Sequence, residues 1–103
     1  MTCYAVALID FTDPGWIKDY VARVTPMVER AGGRYLARTG AVDQLEGEGR
    51  PPQTFLIIEF PSREVAEGFY RSEQYAPFKA ARQQGSVGPF FLVEGIDGST
   101  APA

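Results

Sequence analysis

Apolar positions along the chain fall into short strand-like runs separated by two longer stretches of helical spacing. Tyr4–Phe11 is an apolar run closed by Asp-containing turn residues, which predicts a buried strand. Asp13-Pro14 then supplies an N-cap followed by proline at the first helical position. Ile17, Tyr20, Val21, Val24, Val28 and Ala31 follow with charges between them, the stripe of an amphipathic helix. Pro26 is expected to kink that helix near its last turns, and Gly32-Gly33 to stop it. Arg34–Thr39 alternates as a second strand, and Gln53–Phe60 forms a third whose Phe55–Ile58 run suits burial on both faces. Between them, Gly40–Pro52 is long for a hairpin connection and carries three glycines and Pro51-Pro52, a composition typical of a mobile or functional loop. Ser62 caps a second helical region with Val65, Ala66, Phe69 and Tyr70 on its apolar face. The pattern pauses at Ser72 and resumes through Tyr75, Phe78, Ala81 and Arg82. Pro89–Glu94 is the last strand. Residues 1–95 make a single domain, and the small-residue tail beyond, 96–103, is expected to be disordered.

The resulting order is βαββαβ, an α+β, ferredoxin-like arrangement: a four-stranded antiparallel sheet with two helical regions on one face. The third strand is bulky at every position from Phe55 to Ile58, so the face away from the helices is apolar too. A patch of that kind is rarely left wet on a stable monomer. A two-fold homodimer packed sheet against sheet covers it with a single self-complementary surface. Strands one and three are expected to be adjacent and parallel, which would bring Asp10 and Glu59, at their ends, to one edge of the sheet.

Composition narrows the chemistry. The 103 residues contain no histidine, which excludes His-based triads and dyads, a His-ligated haem and a His-rich metal site. The net charge is -3, and the eight arginines are spread along the chain, so no nucleic-acid footprint is visible. Lys18 and Lys79 both lie on amphipathic helices, where a solvated role is the ordinary one. Cys3 stands alone, leaving neither an intrachain disulfide nor a cysteine metal site, and reads as a small half-buried hydrophobe. The N-terminus lacks a basic n-region, and Tyr4–Ile9 is too short to span a membrane. A cytoplasmic protein with neither metal nor organic cofactor is the expectation.

Several segments also carry a family likeness. Gly32-Gly33-Arg34-Tyr35-Leu36-Ala37-Arg38, Leu45-Glu46-Gly47, Ile58-Glu59-Phe60-Pro61-Ser62, Ser72-Glu73-Gln74-Tyr75, the later Arg82, and Val93-Glu94-Gly95 occur in that order. Together they resemble the family called domain of unknown function 1330, in the dimeric α+β barrel superfamily, over Tyr4 to Gly95. The resemblance implies a ferredoxin-like protomer, a homodimer whose sheets enclose a barrel-like cavity, and no agreed family-wide activity. The wider superfamily includes cofactor-independent aromatic monooxygenases, decarboxylases, cyclases, muconolactone isomerases and haem-degrading proteins. The last of these generally rely on a histidine ligand, which this chain lacks.

The candidate chemistry sits at strand ends and on aromatic side chains. Asp10 and Glu59, if paired, split their pKa values and supply a general acid or base; the ordinary alternative is that each pairs with an arginine. Arg82 interrupts an apolar helix face, either as a catalytic group or in an ion pair with Glu59 or Asp10. Arg38 can clamp a carboxylate or phenolate. Tyr35, Tyr70 and Tyr75 suit a planar substrate, with core packing as the competing role of the last two. Glu46 belongs to the Leu-Glu-Gly loop motif and is placed near a cavity mouth, with a turn role as its alternative. Trp16 is a packing residue or a cavity lid. Two functions stay open: a small enzyme acting by acid-base chemistry on an aromatic or lactone-like molecule, and a non-catalytic module that binds a small hydrophobic ligand or assembles.

Overall fold

The computed structural model describes residues 1–99 and folds them into one antiparallel sheet with helices on a single face. Along the chain these are β1 (Cys3–Phe11), α1 (Ile17–Arg30), β2 (Arg34–Thr39), β3 (Thr54–Phe60), α2 (Arg63–Tyr70), α3 (Ala76–Gly85), β4 (Ser86–Val87) and β5 (Phe90–Glu94). The sheet order is β2-β3-β1, with β4 and β5 both on the outer edge of β1. This is the expected ferredoxin-like α+β architecture. The last strand differs from the expectation by being split: Ser86 and Val87 pair with Phe11 and Asp10, and Phe90–Glu94 pair with Ala7–Cys3. Gly88 makes the break possible. Its φ is 133°, and a Cβ there would lie 1.8 Å from the Leu8 carbonyl oxygen, so only glycine fits.

One expectation about strand direction is corrected. β1 and β3 are adjacent but antiparallel, with Cys3 opposite Phe60 and Ile9 opposite Thr54. α1 carries the chain back so that β1 and β2 run in the same direction without touching. β3 then returns between them, opposed to both. Asp10 and Glu59 therefore stand at opposite ends of the sheet, and the paired-carboxylate site does not form.

The helix signals are met locally. Asp13 Oδ1 accepts the Gly15 N–H at 2.9 Å and opens a 3-10 turn that feeds α1. Pro26 lies inside α1 on its exposed side, and the helix continues through it to Arg30. At the C-terminus Gly32, with φ 88°, turns the chain so that Gly33 N–H reaches Val28 O at 2.9 Å. Ser62 Oγ caps α2 by accepting Val65 N–H at 3.1 Å. Ser72 separates α2 from α3, donating to Phe69 O and accepting from Tyr75 N.

The core lies between the sheet and the helices. β1 contributes Cys3, Ala5, Ala7 and Ile9, β3 contributes Leu56, Ile58 and Phe60, and Val24, Val28, Ala66 and Tyr75 close over them. On the opposite face Tyr4, Val6, Leu8, Phe55 and Ile57 are only half-buried, and Phe91 and Val93 are exposed. The Gly40–Pro52 loop has no regular structure and is tied down at its end. Asp10 Oδ1 accepts from Arg50 Nη1 (2.9 Å) and Gln53 N (3.0 Å), while Gln53 Oε1 accepts from Phe11 N (2.7 Å). In the tail, Gly95 donates its N–H to Thr2 O and Ser99 closes a turn on Asp97. Residues 100–103, part of the tail expected to be disordered, lie outside the described residues. No described helix is long and apolar enough to cross a membrane.

Candidate functional site

Where α1 crosses the sheet, a cavity of about 270 Å³ opens between the helix and strands β1, β3 and β2. Ile9, Leu56 and Val24 form its apolar floor, and Phe11 and Trp16 lie at one end. Trp16 is fixed there because its indole N–H donates to Gly85 O at 3.0 Å and its ring meets Tyr20 edge-on at 5.1 Å. The polar groups on the wall are Tyr20, Tyr35, Arg38 and the hydroxyls of Thr39 and Thr54.

Tyr35 and Arg38 reach this cavity together because of a fault in the ladder. Tyr35 pairs with Ile58, but the next partner of β3, Ile57, faces Ala37, so the register shifts across Leu36. A regular strand would send residues three apart to opposite faces; the extra residue returns Arg38 to the face of Tyr35. Its guanidinium carbon lies 3.8 Å from the Tyr35 ring centroid, and Nη1 donates to Thr25 Oγ1 at 2.8 Å. No carboxylate among the described residues lies within ion-pairing distance of Arg38. Burial pushes the Tyr35 phenol up, with Thr25 and Arg38 pulling the other way. The result is a cation held over an aromatic ring at the rim of an apolar hollow.

Behind the cavity wall lies a second polar group of side chains. Tyr20 Oη is 2.5 Å from Tyr75 Oη, and Tyr75 in turn accepts from Arg82 Nε at 3.4 Å. Tyr75 is 1% exposed and Arg82 6%. The ion pair expected between Arg82 and Glu59 or Asp10 does not form: Glu59 pairs with Arg34 and Asp10 with Arg50 instead. Arg82 packs instead over the Phe90 ring at 5.3 Å, and its Nη2 has no hydrogen-bond partner among the described residues. Burial, and then the neighbouring Tyr75, push the Tyr20 phenol far up, so it stays protonated at neutral pH.

The remaining candidates lie elsewhere. Asp10 is engaged by Arg50, whose hydrogen bond holds its carboxyl below the usual carboxylate range. Glu59 pairs with Arg34 at 3.1 Å across the β2–β3 ladder. Glu46 is exposed on the loop and does not line the cavity, so its placement at the mouth is corrected. Tyr70 lies in a separate groove with Phe90 and Leu92, under the Lys79 ammonium at 4.3 Å. Cys3 is buried, and desolvation pushes its thiol up, away from reactivity. Among the described residues no three His, Cys, Asp or Glu side chains gather as metal ligands. Sequence reasoning missed Tyr20, which it had counted only as part of the α1 apolar stripe. A phenol between Ile17 and Val24 on such a stripe was the available signal.

The family model for the domain of unknown function DUF1330 matches residues 2–96. The chain belongs to the DUF1330 family. None of the curated proteins matches this DUF1330 chain by sequence. Among solved structures, a protein of unknown function from Rhodopseudomonas palustris superposes with a TM-score of 0.75 at 16% identity, covering 93% of this chain and 83% of its own. SnoaB, a cofactor-independent oxygenase from Streptomyces nogalater, gives 0.65 at 13% identity, covering 97% and 98%. An antibiotic biosynthesis monooxygenase gives 0.51 at 20% identity, covering 94% and 100%. At these identities the likeness is one of fold: the DUF1330 chain shares its α+β plan with proteins that include oxygenases.

Proposed function

We propose that this DUF1330 protein is a cytoplasmic homodimer that takes a small, planar aromatic or lactone-like molecule into the α1–sheet cavity and transforms it without metal or organic cofactor. The observation that carries this reading is the cavity itself. Its walls are aliphatic and aromatic, and its polar groups are two phenols, two threonine hydroxyls and one unpaired guanidinium at the rim. Such a lining desolvates a flat ring and anchors one anionic substituent at Arg38. The fold shared with a cofactor-independent oxygenase supports the same reading. The chemistry moves accordingly from the carboxylates to the phenols, because Asp10, Glu59 and Glu46 do not line the cavity.

The dimer rests on the uncovered sheet face. The chain exposes 6,816 Å², against roughly 5,700 Å² for a folded monomer of its mass. The excess is comparable to the roughly 800 Å² that one partner buries in a standard interface.

A second reading has its own support. Among the described residues no carboxylate, thiol or amine lines the cavity, which suits a module that binds a ligand without turning it over. Ligand-observed NMR with a panel of planar aromatic acids tests the shared premise. Binding is expected in wild type, with affinity for the acids about tenfold weaker in Arg38→Ala and affinity for neutral analogues little changed. A panel that does not bind overturns both readings. Oxygen uptake or product formation with a bound compound, no metal or flavin being added, separates the enzyme from the binding module. Native mass spectrometry of the freshly purified protein reads subunit number and retained ligand together, and a clean monomer removes the dimer.

A further inference from the structure

Tyr20, Tyr75 and Arg82 form a cluster that runs from the cavity wall into the protein, and chemistry sets the direction of hydrogen bonding at its arginine end. A guanidinium only donates. Tyr75 Oη therefore receives Arg82 Nε–H, and in its contact with Tyr20 Oη, 2.5 Å away, either phenol can be the donor. In the arrangement where Tyr75 donates, the Tyr20 O–H is left for a guest in the cavity that the Tyr20 side chain lines. The inner end of the chain is equally unbalanced. Arg82 is 6% exposed, no carboxylate lies within ion-pairing distance, and Nη2 has no partner among the described residues. A buried cation without a counter-charge is costly, and an anion placed in the cavity offsets that cost through the intervening phenols.

We propose that Tyr20 donates its hydroxyl hydrogen to the oxyanion, a phenolate or enolate oxygen, of a planar ligand in the cavity, with Tyr75 and Arg82 as positioning residues that polarise it. This rests on the cavity being the ligand site and specifies which ligand atom it stabilises. The ligand class is a hydroxylated or enolisable aromatic that binds as its anion. Tyr20 is the group that touches it; Tyr75 and Arg82 act through Tyr20. A donor aimed at a developing oxyanion in a water-poor site is also what proton abstraction from such a molecule requires.

The test uses the full chain and two probes of similar shape, 4-nitrophenol and nitrobenzene, followed by absorbance and calorimetry. Wild type is expected to bind the phenolate more tightly than nitrobenzene and to lower the phenol's pKa on binding. Tyr20→Phe should weaken phenolate binding about tenfold or more while changing nitrobenzene binding no more than about twofold. Tyr75→Phe keeps the Tyr20 hydroxyl but cuts the chain behind it. It should weaken phenolate binding about threefold and return the bound phenol's pKa towards its free value, which a loss of packing alone would not do. Arg82→Met risks unfolding the core, so Tyr75→Phe carries the decision. If nitrobenzene binds but the phenol's pKa is unchanged or raised, the oxyanion proposal is overturned and the cavity reading stands. Equal weakening of both probes in Tyr20→Phe overturns it in the same way. If neither probe binds wild type, the cavity reading falls first and this proposal with it.

Discussion

Along β1 the face beneath the helices carries Cys3, Ala5, Ala7 and Ile9, whereas the uncovered face carries Tyr4, Val6 and Leu8. Large residues thus point at solvent in the isolated chain, and small ones point at the core. The small side lets α2 and α3 approach the sheet closely, so that Phe60, Phe69 and Tyr75 stack in succession at centroid distances of 5.7 and 4.5 Å. The bulky side continues through Phe55 and Ile57 on β3 and Phe91 and Val93 on β5. Burial of apolar area is the main driving force in folding and association alike. The larger side chains on the open face are the feature on which the proposed homodimer rests.

That contrast can be broken from either side. The largest effect is expected within the covered face. Phe60→Ala removes a side chain that is 1% exposed and should cost about 3–5 kcal/mol, read as a large drop in the urea midpoint. A midpoint left in place would mean that the covered face does not hold the molecule together. On the open face, Ile57→Asp should leave a folded chain but weaken self-association by about 3 kcal/mol, more than about a hundredfold in Kd. Light scattering at several concentrations checks this, and an unchanged mass would show that the open face is not the interface.

A smaller effect is expected from the phenol on the covered side. The folded Tyr20 pKa lies above its unfolded value. Its contribution is therefore complete below about pH 10 and is lost above, by up to about 1.4 kcal/mol per pH unit. Tyr20→Phe should flatten that alkaline decline in a stability profile; a decline of the same slope would assign it to another group. Smallest is the loop clamp. Asp10 has a folded pKa below its unfolded value, so its contribution is present above about pH 4 and fades as the pH falls through the lower, folded value. Asp10→Asn should make the acid limb of stability shallower, with little change near neutrality.

Much of this plan was legible in the sequence, and the parts that were not share a cause. Strand runs, the Asp13 and Ser62 caps and the Gly32 stop are local signals, and all are met in the structure. The split at Gly88 was not visible, because what demands glycine there is the carbonyl of Leu8, eighty residues away. The site was harder still. Asp10 and Glu59 were placed together by a wrong strand direction, while Tyr35 and Arg38 meet only because Leu36 shifts the register. Tyr75 and Arg82 share one helical spacing, but Tyr20 lies more than half the chain's length away from them, and no spacing rule connects it to the pair.

The lining of the cavity has one more consequence, for anyone who titrates it. Its polar side chains are phenols, threonine hydroxyls and a guanidinium, and the whole chain contains no histidine. Tyr20 and Tyr35 are both displaced to the alkaline side. Between about pH 5 and 9 both phenols therefore stay protonated. The two phenols add no inflection of their own to a binding curve over that interval, which leaves the guest's own ionisation in view as a chemical fingerprint.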